Sequence, residues 1–243
     1  MFQGMDAQQQ QELTGQMTGV NGKTKMPVAE DVVVPGVPMD DPLALSQRIL
    51  KRGFDIVFAL LGLILFVPLM GVVAVLILIT DPGPIFYRAP RVGRGGRLFR
   101  MIKFRTMVKN ADKIGPAVTA GNDPRITPLG RFLRKSKWDE LPSLWNVLIG
   151  DMSFVGPRPE NPDSARQYSP EQKRVLSVKP GITSLATIKY RHEEEILEKA
   201  ESLEEAYYEI MQDKLAIELD YIKNQSLAND IRIIFQTIRE IFR

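Results

Sequence analysis

The run IVFALLGLILFVPLMGVVAVLILIT, Ile56 to Thr80, holds 25 consecutive residues without a charge. At about 1.5 Å per residue it is long enough to cross a hydrocarbon core of roughly 30 Å as one helix. Pro68 falls near its middle, where it removes a backbone donor and bends or breaks a helix. Each half then has about 12 residues, roughly 18 Å of helix, close to the depth of one leaflet. Both flanks are basic: Arg48, Lys51 and Arg52 precede the run, and Arg88, Arg91, Arg94 and Arg97 follow it. Basic flanks are retained on the cytoplasmic side, so the pattern favours a re-entrant helix-break-helix that dips into the membrane and returns. A simple span and, further off, a buried core helix are the other readings.

Downstream, the chain reads Lys137-Trp138-Asp139-Glu140-Leu141-Pro142 and then Asp151-Met152-Ser153-Phe154-Val155-Gly156-Pro157-Arg158-Pro159. Leu141, Leu144, Trp145 and Leu148 recur at helical spacing and Pro142 suits a first turn, which places both carboxylates at a helix start. There the helix dipole keeps a carboxylate ionised and favours a bound phosphate. Arg158 stands between Pro157 and Pro159, which stiffen a loop suited to bidentate phosphate contacts. An ionised acid, a second acid and a fixed Arg suggest phosphoryl chemistry. Simple capping of a helix by Asp139 and Glu140 is the competing reading.

Composition narrows the chemistry further. A chain of 243 residues with 44% hydrophobic content supports one core with additions. With no cysteine and a single histidine, His192, thiolate sites, disulfides and His-rich metal sites are excluded, and a Ser-His-Asp triad is improbable. The work falls to carboxylates, amines, guanidiniums and a hard metal ion. Charge is strongly segregated beneath a net +3: residues 88–137 carry fourteen bases and two acids, and residues 192–243 six bases and thirteen acids. The basic block is the partner-facing part, open to lipid headgroups, nucleotide phosphates or nucleic acid.

Residues 1 to about 40 lack periodicity and read as a loosely held extension without a signal-peptide pattern. Ile85–Tyr87 and Leu98–Met107 read as strands around a Gly93/Gly95/Gly96 loop, with Lys103 and Arg105 on one face. That face is either a phosphate-binding one or simply solvated. Thr119 to Arg125 is a loop. Thr127-Pro128 caps a short basic amphipathic helix through Lys135, suited to the membrane interface or to packing on the core. Ser169 and Gln172 form a capping box. An acidic helix runs to about Asn224, and Ser226 caps a last amphipathic helix carrying Leu227, Ile231, Ile234, Ile238 and Ile241 on one face.

From about Gln47 to its end the chain resembles the bacterial sugar transferase family, the small monotopic phosphoglycosyl transferases. The blocks that carry the likeness are Lys51-Arg52-Gly53-Phe54-Asp55, Lys103-Phe104-Arg105-Thr106-Met107, Asn122-Asp123-Pro124-Arg125-Ile126-Thr127, Asp139-Glu140-Leu141-Pro142, Asn146-Val147, Gly150-Asp151-Met152-Ser153, Val155-Gly156-Pro157-Arg158-Pro159 and Lys179-Pro180-Gly181-Ile182-Thr183. The resemblance implies transfer of a sugar 1-phosphate from a UDP-sugar to polyprenol (undecaprenyl) phosphate, with release of UMP, as a first membrane step of glycoconjugate or exopolysaccharide synthesis. By that likeness Asp139 attacks the sugar-proximal phosphorus and holds a covalent phosphosugar, Glu140 assists, and Asp139 contacts Mg²⁺. Arg158, Lys103, Arg105, Arg125 and Arg88, with Pro157 and Pro159, are the implied substrate-binding set, and Pro68 the membrane break.

The expected fold is mixed α/β and mostly helical: extension 1–45, re-entrant membrane hairpin 46–81, small cytoplasmic catalytic core 82–191 and C-terminal helices 192–243, with amphipathic interfacial helices. It implies a monotopic protein on the cytoplasmic face of the bacterial inner membrane. The implied partners are membrane lipids and downstream glycosyltransferases, with a homodimer left open and no nucleic acid. Two departures matter. Val67 precedes Pro68 where the family often has Ser, and Ser184-Leu185-Ala186-Thr187 follows Thr183 where many members continue with Gly. A silent membrane scaffold with the same fold, and a tethered nucleic-acid binder, are the rival readings.

Overall fold

The computed structural model describes residues 32–111, 114 and 123–241. The first 31 residues of the expected extension and residues 119–122 of the expected loop lie outside the described residues. The apolar run forms one helix, α1 (Leu45–Thr80), with Pro68 inside it. A proline removes one hydrogen bond but leaves the ladder free to resume on either side, so the helical backbone runs through Pro68. It is long and apolar enough to cross a membrane, yet only 11% of its most apolar window is buried.

The buried residues of α1 are Asp55, Ala59, Val73 and Ile77. Asp55 and Ala59 precede Val73 and Ile77 by about five turns, so one face is inward along most of the length. The opposite face leaves Ile64, Leu65, Val67, Val72 and Ile79 more than half exposed. Both ends are tied to the same domain. Near the start, Lys51 Nζ donates to the Val155 carbonyl at 3.0 Å and pairs with Asp230, while Arg52 donates to the Val147 and Leu148 carbonyls at 2.7 Å each. At the far end Arg105 donates to the Asp81 carbonyl and lies 3.4 Å from its carboxylate.

Strands β1 (Phe86–Val92) and β2 (Leu98–Phe104) form an antiparallel hairpin, Phe86 opposite Phe104 and Val92 opposite Leu98. At its turn Gly96 has φ +73, and a Cβ there would lie 2.1 Å from the Val34 carbonyl oxygen. That approach lets the N-terminal segment dock: Val33 and Val34 both donate to the Gly96 carbonyl, and Val34 is fully buried. The extension is therefore held from Val32 onward rather than loose to residue 45.

Helix α2 (Pro128–Ser136) starts as expected, with Thr127 accepting from the Gly130 amide. Leu133 packs with Val73, Ile77 and Phe104, whereas Phe132 is exposed. A 3₁₀ turn (Trp138–Ser143) then leads into α3 (Leu144–Ile149). Strands β3 (Ser153–Val155) and β4 (Gly181–Thr183) pair in parallel. Just beyond β3, a Cβ on Gly156 would lie 2.4 Å from the Lys179 carbonyl oxygen, and one on Gly181 would lie 2.2 Å from the Gly156 nitrogen. Only glycine permits that contact.

Helix α4 (Pro162–Arg166) and a 3₁₀ turn (Gln172–Ser177) follow β3, and the Ser169–Gln172 capping box closes with reciprocal bonds of 2.9 and 3.3 Å. After β4 come α5 (Leu185–Lys189), α6 (Glu193–Glu198), α7 (Leu203–Lys223) and α8 (Leu227–Ile241). The main core joins Val155 and Tyr168 to Met211, Leu215, Tyr221 and Ile233, fastening the C-terminal helices onto β3. The result is mixed α/β and mostly helical.

Candidate active site

Three chain segments converge on the acidic pair. The 3₁₀ turn supplies Asp139 and Glu140, β2 supplies Lys103, and the loop after β3 supplies Arg158. The turn is fixed from behind by buried Asn146, whose Oδ1 accepts from the Ile102 amide at 2.9 Å while its Nδ2 donates to the Arg100 carbonyl at 2.9 Å. Ser143 Oγ donates to the Glu140 carbonyl at 2.6 Å. Entry to the turn is through Lys137, which stands in the left-handed region at φ 60. The loop carrying Arg158 is anchored by the Gly181 amide, which donates to the Pro157 carbonyl at 2.9 Å. Pro157 and Pro159 are both buried, and Pro157 lines the cavity beside Glu140 and Arg158.

Glu140 Oε1 accepts from Lys103 Nζ at 2.7 Å and from Arg158 Nη2 at 2.8 Å. Burial alone would raise its pKa, but Arg158 and Lys103 together hold it well below the usual carboxylate range. Glu140 is thus a fixed anion that places two cations. Burial lowers the Lys103 pKa and Glu140 opposes that shift, while Glu140 raises that of Arg158, whose side chain remains 35% exposed.

Asp139, 8% exposed, lies outside that pairing. Burial, reinforced by the Glu140 charge, pushes its carboxyl up to about 6, against the pull of Lys103, Lys137 and Arg134. The expectation that a helix dipole dominates Asp139 therefore gives way to desolvation. The pair begins a 3₁₀ turn, and α3 behind it is a short helix with little dipole to offer. The arrangement is a desolvated, weakly basic carboxylate beside two cations suited to an anionic substrate.

Other expected site residues have different partners. Arg105, one residue beyond β2, is buried and binds Asp81 at the end of α1. Arg125 forks onto Asp123 at 2.9 and 3.0 Å through Nε and donates to the Ala111 carbonyl at 3.0 Å, bracing a loop. Arg88 is exposed on β1 opposite Ile102. Pro68 lies inside α1.

The structure adds residues not picked out for the site in the sequence. Arg91 has its pKa lowered by burial, with Glu160, Arg158 and Glu140 all near enough to act on it. A cavity of about 1060 Å³ opens beside Glu140, lined by Arg158, Lys137, Tyr190, Lys214 and Glu218 among other residues, with Asp139 and Lys103 outside its lining. Among the described residues no group of three or more His, Cys, Asp or Glu side chains could hold a metal ion by itself.

A family model described as bacterial sugar transferase matches residues 46–243. The chain is 38% identical over 195 residues to a UDP-N-acetylgalactosamine-undecaprenyl-phosphate N-acetylgalactosaminephosphotransferase of Aeromonas hydrophila, covering 79% of this chain and 43% of that protein. It is 40% identical over 211 residues to a UDP-glucose:undecaprenyl-phosphate glucose-1-phosphate transferase of Escherichia coli K12, covering 84% and 43%. It is 38% identical over 214 residues to an undecaprenyl-phosphate galactose phosphotransferase of Salmonella typhimurium, covering 82% and 41%. The chain thus spans less than half the length of these relatives. Matched across α1, the acidic turn and the Arg158 loop alike, it belongs to the bacterial sugar transferase family.

Proposed function

We propose that the chain transfers a sugar 1-phosphate from a UDP-sugar to polyprenol phosphate at the cytoplasmic face of the bacterial inner membrane. The observation that carries this reading is the desolvated Asp139 beside a Lys103–Glu140–Arg158 cluster, on a domain that also bears an exposed apolar helix. The relatives named above act on UDP-linked glucose or N-acetylgalactosamine, or on galactose, at similar identity. The sugar is therefore a question for a donor panel.

In the first step an Asp139 carboxylate oxygen attacks the sugar-proximal phosphorus. The bond from that phosphorus to the bridging oxygen breaks, and UMP leaves with the electron pair. In the second, an oxygen of the lipid phosphate attacks the same phosphorus, the bond to Asp139 breaks, and polyprenyl-diphosphate-sugar forms with Asp139 restored. No net proton transfer is required. Splitting the displacement lets one site serve a water-soluble and a lipid substrate in turn. Arg158 and Lys103, already oriented by Glu140, offset the charge on the phosphoryl oxygens, and the low pKa of Glu140 favours positioning over proton handling.

With one carboxylate outside the cation pairing, Asp139 would be the protein ligand of a magnesium ion, and the described residues do not fit an ion held by protein alone. Bound there, such an ion would supply charge neutralisation at the donor's phosphates. Both ends of α1 bind the one domain, which supports entry and return on the same side of the membrane. UMP release by detergent-solubilised protein given polyprenol phosphate, Mg²⁺ and a panel of UDP-sugars tests the reading. Release with at least one donor, lost in Asp139→Asn, is expected. Release undiminished in that variant removes the assigned mechanism.

A further inference from the structure

Helix α7 carries a buried acid that the scheme above does not use. Glu218 is 4% exposed, and neither of its carboxylate oxygens makes a hydrogen bond. It sits in the apolar face of α7, in line with buried Met211, Leu215 and Ile222, where a leucine would fill the same space without burying a charge. Burying a carboxylate without donors is strongly unfavourable, so a site that keeps one has a use for its acceptor capacity. Burial pushes its carboxyl up to about 7, against the weaker pull of the Ser184 hydroxyl, the Arg158 backbone amide and the Lys214 ammonium. None of these closes a hydrogen bond of good geometry to it.

Its position links it to the reaction. Glu218 lines the same cavity as Glu140 and Arg158, and faces the backbone of Arg158 itself. Beside it Ser184 and Thr187 form a hydroxyl pair 3.1 Å apart, and Thr187 also lines the cavity. Hydroxyl side chains next to an acceptor short of donors match a ligand that brings hydroxyl groups, as a UDP-sugar does on both its ribose and its sugar.

We propose that Glu218, with Thr187 beside it, is a subsite that accepts hydrogen bonds from a vicinal pair of hydroxyls of the donor, and so determines donor affinity and choice beyond the phosphate contacts of Arg158. The inference rests on the reaction proposed above. Glu218 positions the donor and does not touch the reacting phosphorus.

The test compares wild type, Glu218→Gln and Thr187→Val in steady-state kinetics with the UDP-sugar that wild type turns over. UMP binding and thermal melting are measured on the same samples. Glu218→Gln is expected to raise the donor KM by about 10- to 100-fold, the range of a charged hydrogen bond, with kcat changed far less and the melting temperature unchanged or higher. Thr187→Val is expected to raise KM by about 3- to 10-fold, and it carries the test should Glu218→Gln not fold. Donor analogues lacking one hydroxyl locate the contact. If the ribose is held, UMP affinity falls in Glu218→Gln, and a 2′-deoxyribose donor, already weak with wild type, weakens no further. If the sugar is held, UMP affinity is unchanged and the same non-additivity appears with a deoxy-sugar donor. An unchanged donor KM in both variants, or penalties that simply add for every analogue, overturns the inference while leaving the reaction intact. Absence of turnover by wild type with every donor overturns the reaction and this inference with it.

Discussion

Replacing Asp139 with asparagine is expected to abolish turnover and to make the protein more stable. The magnitude follows from the burial of Asp139, which raises its carboxyl from an ordinary 3.8 to about 6. A difference of roughly two pKa units corresponds to about 3 kcal/mol against folding once the group is ionised in both states. Asparagine removes the charge but keeps an amide that needs partners, so a net gain of about 1–3 kcal/mol is expected, or roughly 2–10 °C in melting temperature for a domain of this size.

The pH dependence identifies the cause. Above about pH 6 wild type bears the whole penalty. As pH falls the folded carboxyl takes up its proton before the unfolded one does, so the penalty shrinks and is gone below about pH 4. Melting curves of the two proteins in one detergent between pH 4 and 8 provide the assay. A gap that opens as pH rises is expected. A variant no more stable than wild type at pH 7.5, or a gap independent of pH, refutes the claim that Asp139 is held desolvated and partly starved of counter-charge.

The same carboxyl should set the acidic limb of activity: turnover falls about tenfold per pH unit below about 6, as a pH-rate profile would reveal. Lys103→Met leaves Glu140 with Arg158 alone; turnover should fall by at least about 100-fold, and stability by about 1–3 kcal/mol because a buried acid loses one of two partners. Gly156→Ala puts a methyl 2.4 Å from the Lys179 carbonyl oxygen, so chemical denaturation should reveal a loss of about 2 kcal/mol or more, with Arg158 displaced and activity reduced. Arg48→Cys and Pro84→Cys, introduced singly, should both label from the cytoplasmic side in sealed membranes, whereas labelling from opposite sides establishes a span.

The acidic pair, Lys103 and Arg158 could be read from the chain because each lies in a short block whose residue types already imply phosphate chemistry. The helix starts at Thr127 and Ser169 were equally readable, since capping is local. Arg105 binds Asp81 at the end of α1, a partner 24 residues away that strand alternation cannot reveal. Arg125 looked available because its partner Asp123, two residues away, reads as part of the same motif rather than as its counter-charge. Arg91 reads as a membrane flank, and only the hairpin brings it to Glu160 and Arg158.

Glu218 is hidden among thirteen acids in residues 192–243, which together look like a solvated face. Its signal was nonetheless present, as a lone acid in register with Met211, Leu215 and Ile222. The course of α1 through Pro68 is beyond reach for another reason. Proline reports the loss of one hydrogen bond, and whether the helix resumes depends on packing against residues far away in sequence.

The central claim is that Asp139 carries the phosphosugar. Incubating the protein with a labelled UDP-sugar and Mg²⁺ in the absence of polyprenol phosphate, then quenching and mapping peptides by mass spectrometry, tests it most directly. Label on the peptide containing Asp139, chased by added polyprenol phosphate and missing from Asp139→Asn, is the expected result. Label on another residue, or UMP release that begins only when both substrates are present and leaves no adduct, would contradict it.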